Sequence, residues 1–183
     1  MTYSTDWLLA VLERDAHVKY LFFWGHQPSH DGVITKSCLS QWWLADFVVT
    51  GITYRSTEHW MMAEKARLFT DEDALARILA AKSPAEAKKL GREIQGFEPE
   101  VWEANKVEIV KAGNLHKFGQ HKELSEFLRS THGRILVEAS PVDTIWGIGL
   151  AADSAEAANP AQWQRPNLLG FVVMEVRDQL RQS

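Results

Sequence analysis

The stretch from Tyr54 to Lys65, with the sequence YRSTEHWMMAEK, decides the fold of the chain around it. Ser56 is a residue type that caps helix N-termini, and the run that follows it to about Phe69 has helical composition. Because a helix repeats about every 3.6 residues, one face carries four residues spaced i, i+3, i+4 and i+7: Glu58, Met61, Met62 and Lys65. We therefore predict a helix with a carboxylate in its first turn and an ammonium two turns later.

This helix face has two interpretations. Glu58 and Lys65 would stand about 10 Å apart along the axis, from a rise of about 1.5 Å per residue. That span can hold a reacting bond at one end and an anionic group at the other. Alternatively, Glu58 is a first-turn glutamate favoured by the helix dipole, and Lys65 only extends past the methionines towards solvent. The local sequence leaves both interpretations open.

The patterns on either side of this helix predict a mainly helical protein with a small β component, of the α+β class. Apolar residues around Gly51 predict a β-hairpin over residues 47–54, and the apolar runs 20–24 and 134–138 predict two further strands. Residues 140–166 are long and irregular, which favours a functional loop. Helical spacing predicts the remaining helices at residues 5–15, 71–81, 84–90, 99–112, 122–130 and 167–181.

Length and charge restrict the possible functions. A chain of 183 residues predicts one compact domain over 1–183, with a core at about 20–182 and an N-terminal helical extension over 1–19. Twenty basic and twenty-four acidic residues give a net charge of −4, and no run of Lys and Arg is as long as a nucleic-acid-binding arm. Strong nucleic-acid binding is therefore not expected. No apolar stretch is long enough to span a bilayer, and we expect a cytoplasmic protein.

The cysteine and histidine content argues against a metal site. The single cysteine, Cys38, excludes an intrachain disulfide and a cysteine-cluster zinc site. His26 and His30 are four residues apart, but Pro28 lies between them and no third ligand is evident. We predict neither a metal nor a cofactor.

A second candidate region covers residues 136–149, with the sequence LVEASPVDTIWGIG. Asp143 follows a predicted strand and precedes Trp146, so both can line a ligand pocket in a glycine-containing loop. Equally, Asp143 can form a turn and Trp146 can fill the core. Gly147 and Gly149 alone do not make a dinucleotide-binding fingerprint, because the third glycine is missing.

Tryptophan is the one unusual feature of the composition, with eight in the chain. Trp102 lies near the start of the predicted helix over 99–112. A helical tryptophan can pack in the core or form the wall of a pocket for a flat ligand. The sequence around Trp102 permits both roles.

Taken together, these segments resemble the NADAR family, also called the YbiA-like family, over nearly the whole chain after about residue 20. The resemblance is carried by Phe23-Trp24, Ser40-Gln-Trp42, Glu58-His-Trp-Met-Met-Ala, Lys65-Ala, Leu90-Gly-Arg92, Trp102, Gly113-Asn114, Lys117-Phe118, residues 136–150 and Asn167-Leu-Leu-Gly170. Two positions depart from the family pattern. Residues 163–167 replace an expected glycine-containing stretch, and Thr57 stands where a small alanine is common.

The resemblance implies a compact, mostly helical fold and an N-glycosidase activity. The family's functional glutamate, tryptophan and aspartate match Glu58, Trp102 and Asp143, which we predict to be catalytic. From the residues that fit this activity, we predict a substrate-binding set made of Trp24, Gln41, Trp42, Lys65, Arg92, Trp146, Gly147 and Asn167.

Family members cleave phosphorylated ribosylamino-pyrimidine intermediates of riboflavin synthesis, and related branches remove ADP-ribose from guanine. We therefore expect a small phosphorylated N-riboside as substrate and ribose 5-phosphate as product. The alternatives are an ADP-ribosyl glycohydrolase and a non-catalytic ADP-ribose- or NAD-binding module. The sequence does not divide the roles of Glu58 and Asp143, nor does it predict an oligomeric state.

Overall fold

The computed structural model describes residues 1–15 and 17–182. The predicted extension over 1–19 and the predicted domain end at 183 each include one residue outside this description. The helices are α1 (Thr5–Leu12), α2 (Thr57–Leu68), α3 (Glu72–Ala80), α4 (Pro84–Gly91), α5 (Pro99–Gln120), α6 (Lys122–Ser130) and α7 (Leu168–Gln182). The strands are β1 (Lys19–Phe23), β2 (Phe47–Val49), β3 (Ile52–Tyr54) and β4 (Arg134–Glu138).

These elements confirm the predicted α+β class with a small β component. They group into two compact units, one made of residues 41–122 and the other of residues 1–40 with the chain from 123 onward. The single domain over 1–183 stays a prediction. Within the described residues, none of the helices has the length and apolarity needed to cross a membrane.

Helix α2 is the centre of the unit at residues 41–122, where it packs against α3, α4 and α5. Every residue from Thr57 to Ala63 is buried, so the helix has no exposed face in its first two turns. The helix begins after Ser56, whose Oγ accepts a hydrogen bond from the backbone N–H of His59, as the sequence predicts. A helix buried on all sides needs its polar groups satisfied by the protein, since water cannot reach them.

The predicted hairpin is confirmed as the antiparallel pair β2 and β3, in which Phe47 is opposite Tyr54. Its turn residues, Thr50 and Gly51, have φ angles of 49° and 81°. Positive φ at both central residues is what a tight hairpin turn compatible with strand twist requires. The rings of Phe47 and Tyr54 stack at 5.6 Å, and Tyr54 meets Trp60 edge-on at 5.0 Å. These rings attach the hairpin to α2.

Helix α5 is longer than predicted, because it continues beyond residue 112 to Gln120. The prediction ended before Gly113, since glycine weakens a helix interior. The structure shows why glycine is present: a Cβ at position 113 would lie 2.4 Å from Cδ1 of Trp60. The Trp60 indole also donates a hydrogen bond to the Ile109 carbonyl at 2.8 Å. Packing of the indole on α5 therefore outweighs the helix propensity of Gly113.

In the other unit, β1 and β4 form a parallel two-stranded sheet, in register from Lys19 opposite Arg134 to Phe23 opposite Glu138. Strand β4 and helix α6 have the predicted bounds. Strand β1 was predicted over residues 20–24 but runs from Lys19 to Phe23, so Trp24 lies outside it. The carboxyl ends of both strands lie at the same edge. Segments that follow the two strands therefore leave the sheet side by side, and the backbone N–H of Ala139 donates to the Phe23 carbonyl at 2.9 Å.

Helix α7 packs against β4. Asn167, just before α7, is fully buried with a φ of 55°. Its side-chain amide donates to the Leu136 carbonyl at 2.9 Å and accepts from the Glu138 N–H at 3.0 Å. A Cβ at Gly170 would lie 2.2 Å from the Leu136 carbonyl oxygen, so only glycine permits this approach. The amide of Asn167 thus pairs with β4 in the way a neighbouring strand would.

The N-terminal residues also belong to this unit. Helix α1 begins after Ser4, whose side chain accepts from the Trp7 N–H, and it ends at Leu12 rather than at the predicted residue 15. It packs on the short 3₁₀ turn at Pro160–Gln162. The Tyr3 hydroxyl donates to a carboxylate oxygen of Asp178 in α7, and burial together with this contact raises the pKa of Tyr3 to about 12.

The two glycines of α5 give a matched test of this packing. We expect Gly113→Ala to lower the free energy of unfolding by about 1–3 kcal/mol, because the added methyl group would overlap the Trp60 indole. Gly119→Ala should raise it by up to about 0.5 kcal/mol, because nothing lies within 4 Å of a Cβ there. Urea unfolding of both variants would measure the difference. Equal effects at the two positions would contradict the role given to the indole.

Candidate functional site

Glu58 lies in the first turn of α2 and is 2% exposed. Its backbone N–H donates to the Gln41 carbonyl at 3.0 Å, and the Thr57 hydroxyl donates to the same carbonyl at 3.1 Å. The positive end of the helix dipole favours a carboxylate at this position. The structure therefore buries a carboxylate at a helix start whose backbone position is fixed by a residue from outside the helix.

Gln41 contributes its side chain to a second contact. Its Oε1 accepts a hydrogen bond at 2.9 Å from the side-chain amide of Asn114 in α5, and its Nε2 lies 4.0 Å from the sulfur of Met61. Gln41 is itself 6% exposed. Of the predicted substrate-binding residues, Gln41 is the one whose backbone directly contacts Glu58.

The structure brings Lys65 and Trp102, two of the predicted site residues, together. The Lys65 ammonium lies 5.5 Å from the Trp102 ring centroid and 4.3 Å from that of Phe97, and it donates to the Gly91 carbonyl at 2.8 Å. Burial lowers the pKa of Lys65 from its ordinary value. Two aromatic faces and one carbonyl surround this cation, and among residues 1–15 and 17–182 no carboxylate pairs with it. Its charge is thus available to an anionic ligand.

The other predicted residues of this unit differ in exposure. Trp102 is 8% exposed, whereas Trp42 is half-buried with the Lys88 ammonium 5.7 Å from its ring centroid. Arg92 is exposed and caps the C-terminus of α4, immediately after the carbonyl that Lys65 contacts. Lys65 and Arg92 therefore lie near each other at the C-terminal end of α4.

In the other unit, Asp143 organises the loop that follows β4. Its Oδ1 accepts hydrogen bonds from the backbone N–H groups of Ile145, Trp146 and Gly147, and its own N–H donates to the Ser140 hydroxyl at 3.0 Å. The turn-forming interpretation of Asp143 is therefore correct for Oδ1. In the part of the chain that the structure describes, the hydrogen bonds of this carboxylate are made by Oδ1, so Oδ2 is the oxygen that can contact a ligand.

Trp146, Gly147 and Asn167 connect this loop to the start of α7. The Trp146 carbonyl accepts from Leu169 N–H at 3.0 Å, and the Gly147 carbonyl accepts from Asn167 N–H at 3.1 Å. A Cβ at Gly147 would lie 2.6 Å from the Glu138 carbonyl oxygen. Trp146 is buried, and both polar groups of the Asn167 amide are used by β4. These residues fix the loop that carries Asp143.

Trp24 directly follows β1 and is 55% exposed. Its strand runs parallel to β4, so Trp24 and the segment that leads to Asp143 leave the sheet at the same edge. Trp24, Asp143, Trp146, Gly147 and Asn167 thus all lie beyond the carboxyl end of β4 or beside it. An exposed tryptophan at such an edge can stack on a flat ligand.

Sequence reasoning did not select Phe97 and Asn114 as site residues. Phe97 is 42% exposed and lies between Gly96 and α5, where no periodicity marks it. Asn114 contacts Gln41 across 73 positions of sequence, which no local pattern reveals. Across the part of the chain that the structure describes, no group of three or more His, Cys, Asp or Glu side chains is arranged to hold a metal ion.

Comparison with known proteins confirms the resemblance seen in the sequence. A model of the NADAR domain family matches residues 22–181. The chain is 38% identical over 169 residues to an N-glycosidase of Acanthamoeba polyphaga mimivirus, which covers 90% of this chain and 98% of the relative. It is 32% identical over 135 residues to the riboflavin biosynthesis protein PYRR, chloroplastic, of Zea mays, which covers 70% of this chain and 20% of that protein.

A solved structure supports the same relationship. The NMR structure of Escherichia coli YbiA superposes with a TM-score of 0.68 at 28% sequence identity, covering 92% of this chain and 90% of YbiA. By sequence, the N-glycosidase YbiA of Escherichia coli strain K12 is 32% identical over 132 residues, which is 72% of this chain and 74% of YbiA.

His59, the neighbour of Glu58, gives a prediction about pH and stability. The Ala81 carbonyl can only accept, so Nε2 of His59 donates to it at 3.2 Å and Nδ1 accepts from the Ser56 hydroxyl at 2.8 Å. Burial lowers the pKa of His59. The folded protein therefore binds this proton less readily than the unfolded chain, and stability should fall as the pH drops below about 6.5.

The measurement is the free energy of unfolding in urea at pH 7.5 and pH 5.5. We expect wild type to lose stability between these values, at no more than about 1.4 kcal/mol per pH unit from this group. His59→Gln should show a smaller loss, and His30→Gln, which changes an exposed histidine, should behave as wild type does. An unchanged pH dependence in His59→Gln would contradict the assignment.

Proposed function

Because the chain belongs to the NADAR family, we propose that it hydrolyses the N-glycosidic bond of phosphorylated ribosylamino-pyrimidine intermediates of riboflavin biosynthesis and releases ribose 5-phosphate. Several of the curated relatives that it matches are N-glycosidases, and the chain is a hydrolase of N-glycosyl bonds. The observation that carries the proposal is Glu58, a buried carboxylate at the start of the central helix α2. The relative named for riboflavin biosynthesis supports the choice of substrate.

The reaction requires a group that acts at C1′ of the ribose. The bond between C1′ and the base nitrogen breaks with its electron pair leaving on nitrogen, and a water oxygen bonds to C1′. The water gives up one proton and the leaving nitrogen receives one, through a transition state with oxocarbenium character. We assign Glu58 to this centre, where a carboxylate can take the proton from water and stabilise the positive charge at C1′.

Asp143 is assigned the partner role, in which its Oδ2 holds a ribose hydroxyl or delivers a proton to the leaving nitrogen. Oδ1 keeps the loop in place through three backbone N–H groups, so one carboxylate performs a structural and a chemical task with different oxygens. Two carboxylates divide such work when their surroundings differ. Glu58 is buried at a helix start, whereas Asp143 is half-buried in a loop.

Lys65 and Arg92 are assigned to the phosphate group of the substrate. Lys65 stands two turns from Glu58 on α2, about 10 Å along the axis at the usual rise per residue. That separation suits a ribose phosphate whose C1′ lies at Glu58. The guanidinium of Arg92 adds a bidentate donor beside the single point charge of Lys65. Trp102, next to the Lys65 ammonium, and Trp42 and Trp24 supply flat surfaces for the sugar and base.

Substitution of Glu58 tests the proposal. We expect purified wild-type protein to release ribose 5-phosphate from the ribosylamino-pyrimidine phosphate, and Glu58→Gln to lose at least about 100-fold in kcat while still binding the substrate. ADP-ribosylated guanosine and NAD are assayed beside it. Release of ADP-ribose from the guanosine alone would favour the glycohydrolase alternative. Binding of ADP-ribose without turnover of any compound would refute a catalytic role for Glu58.

Two substitutions of Asp143 separate its structural task from its chemical task. Asparagine keeps an oxygen that accepts the three loop N–H groups, so Asp143→Asn should keep Tm within about 2 °C of wild type. Asp143→Ala leaves those N–H groups without their acceptor and should lower Tm by about 4 °C or more. If Asp143 acts in the reaction, Asp143→Asn nevertheless loses at least about tenfold in kcat. A fully active Asp143→Asn would show that the carboxylate only builds the loop.

A further inference from the structure

Asn114 lies on the buried face of α5, and its side chain is completely buried. Its Nδ2 donates two hydrogen bonds, to the Val110 carbonyl at 2.9 Å and to Oε1 of Gln41 at 2.9 Å. A backbone carbonyl can only accept, so the contact with Val110 fixes which end of the Asn114 amide carries the hydrogens. Both N–H groups are therefore in use, and one of them holds the Gln41 side chain.

Gln41 passes this constraint to the start of α2. Its backbone carbonyl accepts from the Glu58 N–H and the Thr57 hydroxyl, which are both in the first turn. Asn114, Gln41 and Glu58 thus form a chain of direct hydrogen bonds from the middle of α5 to the turn that carries the proposed catalytic carboxylate. We refer to these three residues as the Asn114 relay.

We propose that Asn114 is a positioning residue for Glu58 and acts through Gln41. This inference rests on the proposed function, in which Glu58 is the group at C1′. Catalytic groups must stay close to their productive geometry, and a misplacement of about 1 Å can cost up to 100-fold in rate. The relay holds the first turn of α2 from a second, 22-residue helix. Groups held by helices are positioned more precisely than groups held by loops.

A purely structural role explains Asn114 less well. Its Oδ1 is buried and accepts no hydrogen bond within residues 1–15 and 17–182. A buried acceptor that makes no hydrogen bond costs stability, and an apolar side chain of similar size at this position would carry no such cost. The Asn114 amide therefore lowers stability through Oδ1, and its favourable contribution comes from the two hydrogen bonds that Nδ2 donates. One of those hydrogen bonds acts on Gln41.

The test uses Asn114→Leu with Asn105→Leu as its matched control. Asn105 lies on the same helix and makes the same type of bond, from its Nδ2 to the Val101 carbonyl at 2.8 Å, with no contact to Gln41. We expect Asn114→Leu to lower kcat about tenfold while KM stays within about twofold of wild type. Asn105→Leu should leave both constants unchanged.

A double-mutant cycle then tests whether Asn114 acts through Gln41. Without the Gln41 side-chain amide, Asn114 has no hydrogen bond through which it can affect Glu58. Gln41→Leu and the double variant Gln41→Leu/Asn114→Leu should therefore have the same kcat. Losses that multiply in the double variant would refute the relay. An unchanged kcat in Asn114→Leu, or an equal loss in Asn105→Leu, would refute it as well.

A second measurement does not depend on activity. Amide hydrogen exchange at Glu58, followed by NMR, reports directly on the bond from its N–H to Gln41. Asn114→Leu should accelerate this exchange about fivefold to tenfold, and Asn105→Leu should not. If wild type cleaves none of the assayed compounds, the proposed function fails while the exchange rates still decide whether Asn114 holds this turn. Unchanged exchange in Asn114→Leu would overturn the inference.

Discussion

The buried N-terminus of α2 is the constraint on which the unit at residues 41–122 depends. A helix leaves its first backbone N–H groups without partners inside the helix, and around α2 the neighbouring helices exclude the water that would otherwise satisfy them. Ser56 and Gln41 supply the acceptors instead. Because Glu58 lies in this same turn, the contacts that satisfy the helix N-terminus also fix the position of its carboxylate-bearing residue. The segments on either side of the first turn of α2 supply those contacts.

The other unit solves a related problem at a strand edge. Its sheet has only two strands, so β4 would present unpaired backbone groups on the side away from β1. The amide of Asn167 pairs with Leu136 and Glu138 on that side, and Gly170 allows α7 to approach. Asparagine suits this position because it tolerates a positive φ better than most residues. The loop with Asp143 is thereby fixed at both ends, to β4 and to the start of α7.

Local patterns predicted most of the fold because most elements are marked by residues within them or directly beside them. Ser56 marks the start of α2, Gly51 marks the hairpin turn, and the apolar spacing of residues 122–130 gives α6 its observed bounds. The length of α5 was missed because helix propensity at Gly113 is overruled by an indole from another helix. Such a contact is decided by packing in three dimensions, and no window of sequence contains it.

The candidate site likewise has a part that the sequence predicts and a part that it does not. Residue type and resemblance selected Glu58, Lys65 and Trp102, and the structure places Lys65 against Trp102. The cation's carbonyl partner and the support of Glu58 by Asn114 depend on contacts between segments far apart in the chain. A chemical group can be recognised from its type and local position, whereas what holds it is set by tertiary packing.

The contact between Trp60 and Gly113 has a consequence for how this sequence can change over time. The indole occupies the space that a side chain at position 113 would need. A residue larger than glycine therefore fits there only after Trp60 has been replaced by a smaller residue. If Trp60 were replaced by a smaller residue first, the indole's hydrogen bond to Ile109 and its contact with Tyr54 would be lost. Each single step is therefore unfavourable, although a paired exchange restores the packing. Descendants of this sequence should keep both residues or replace both.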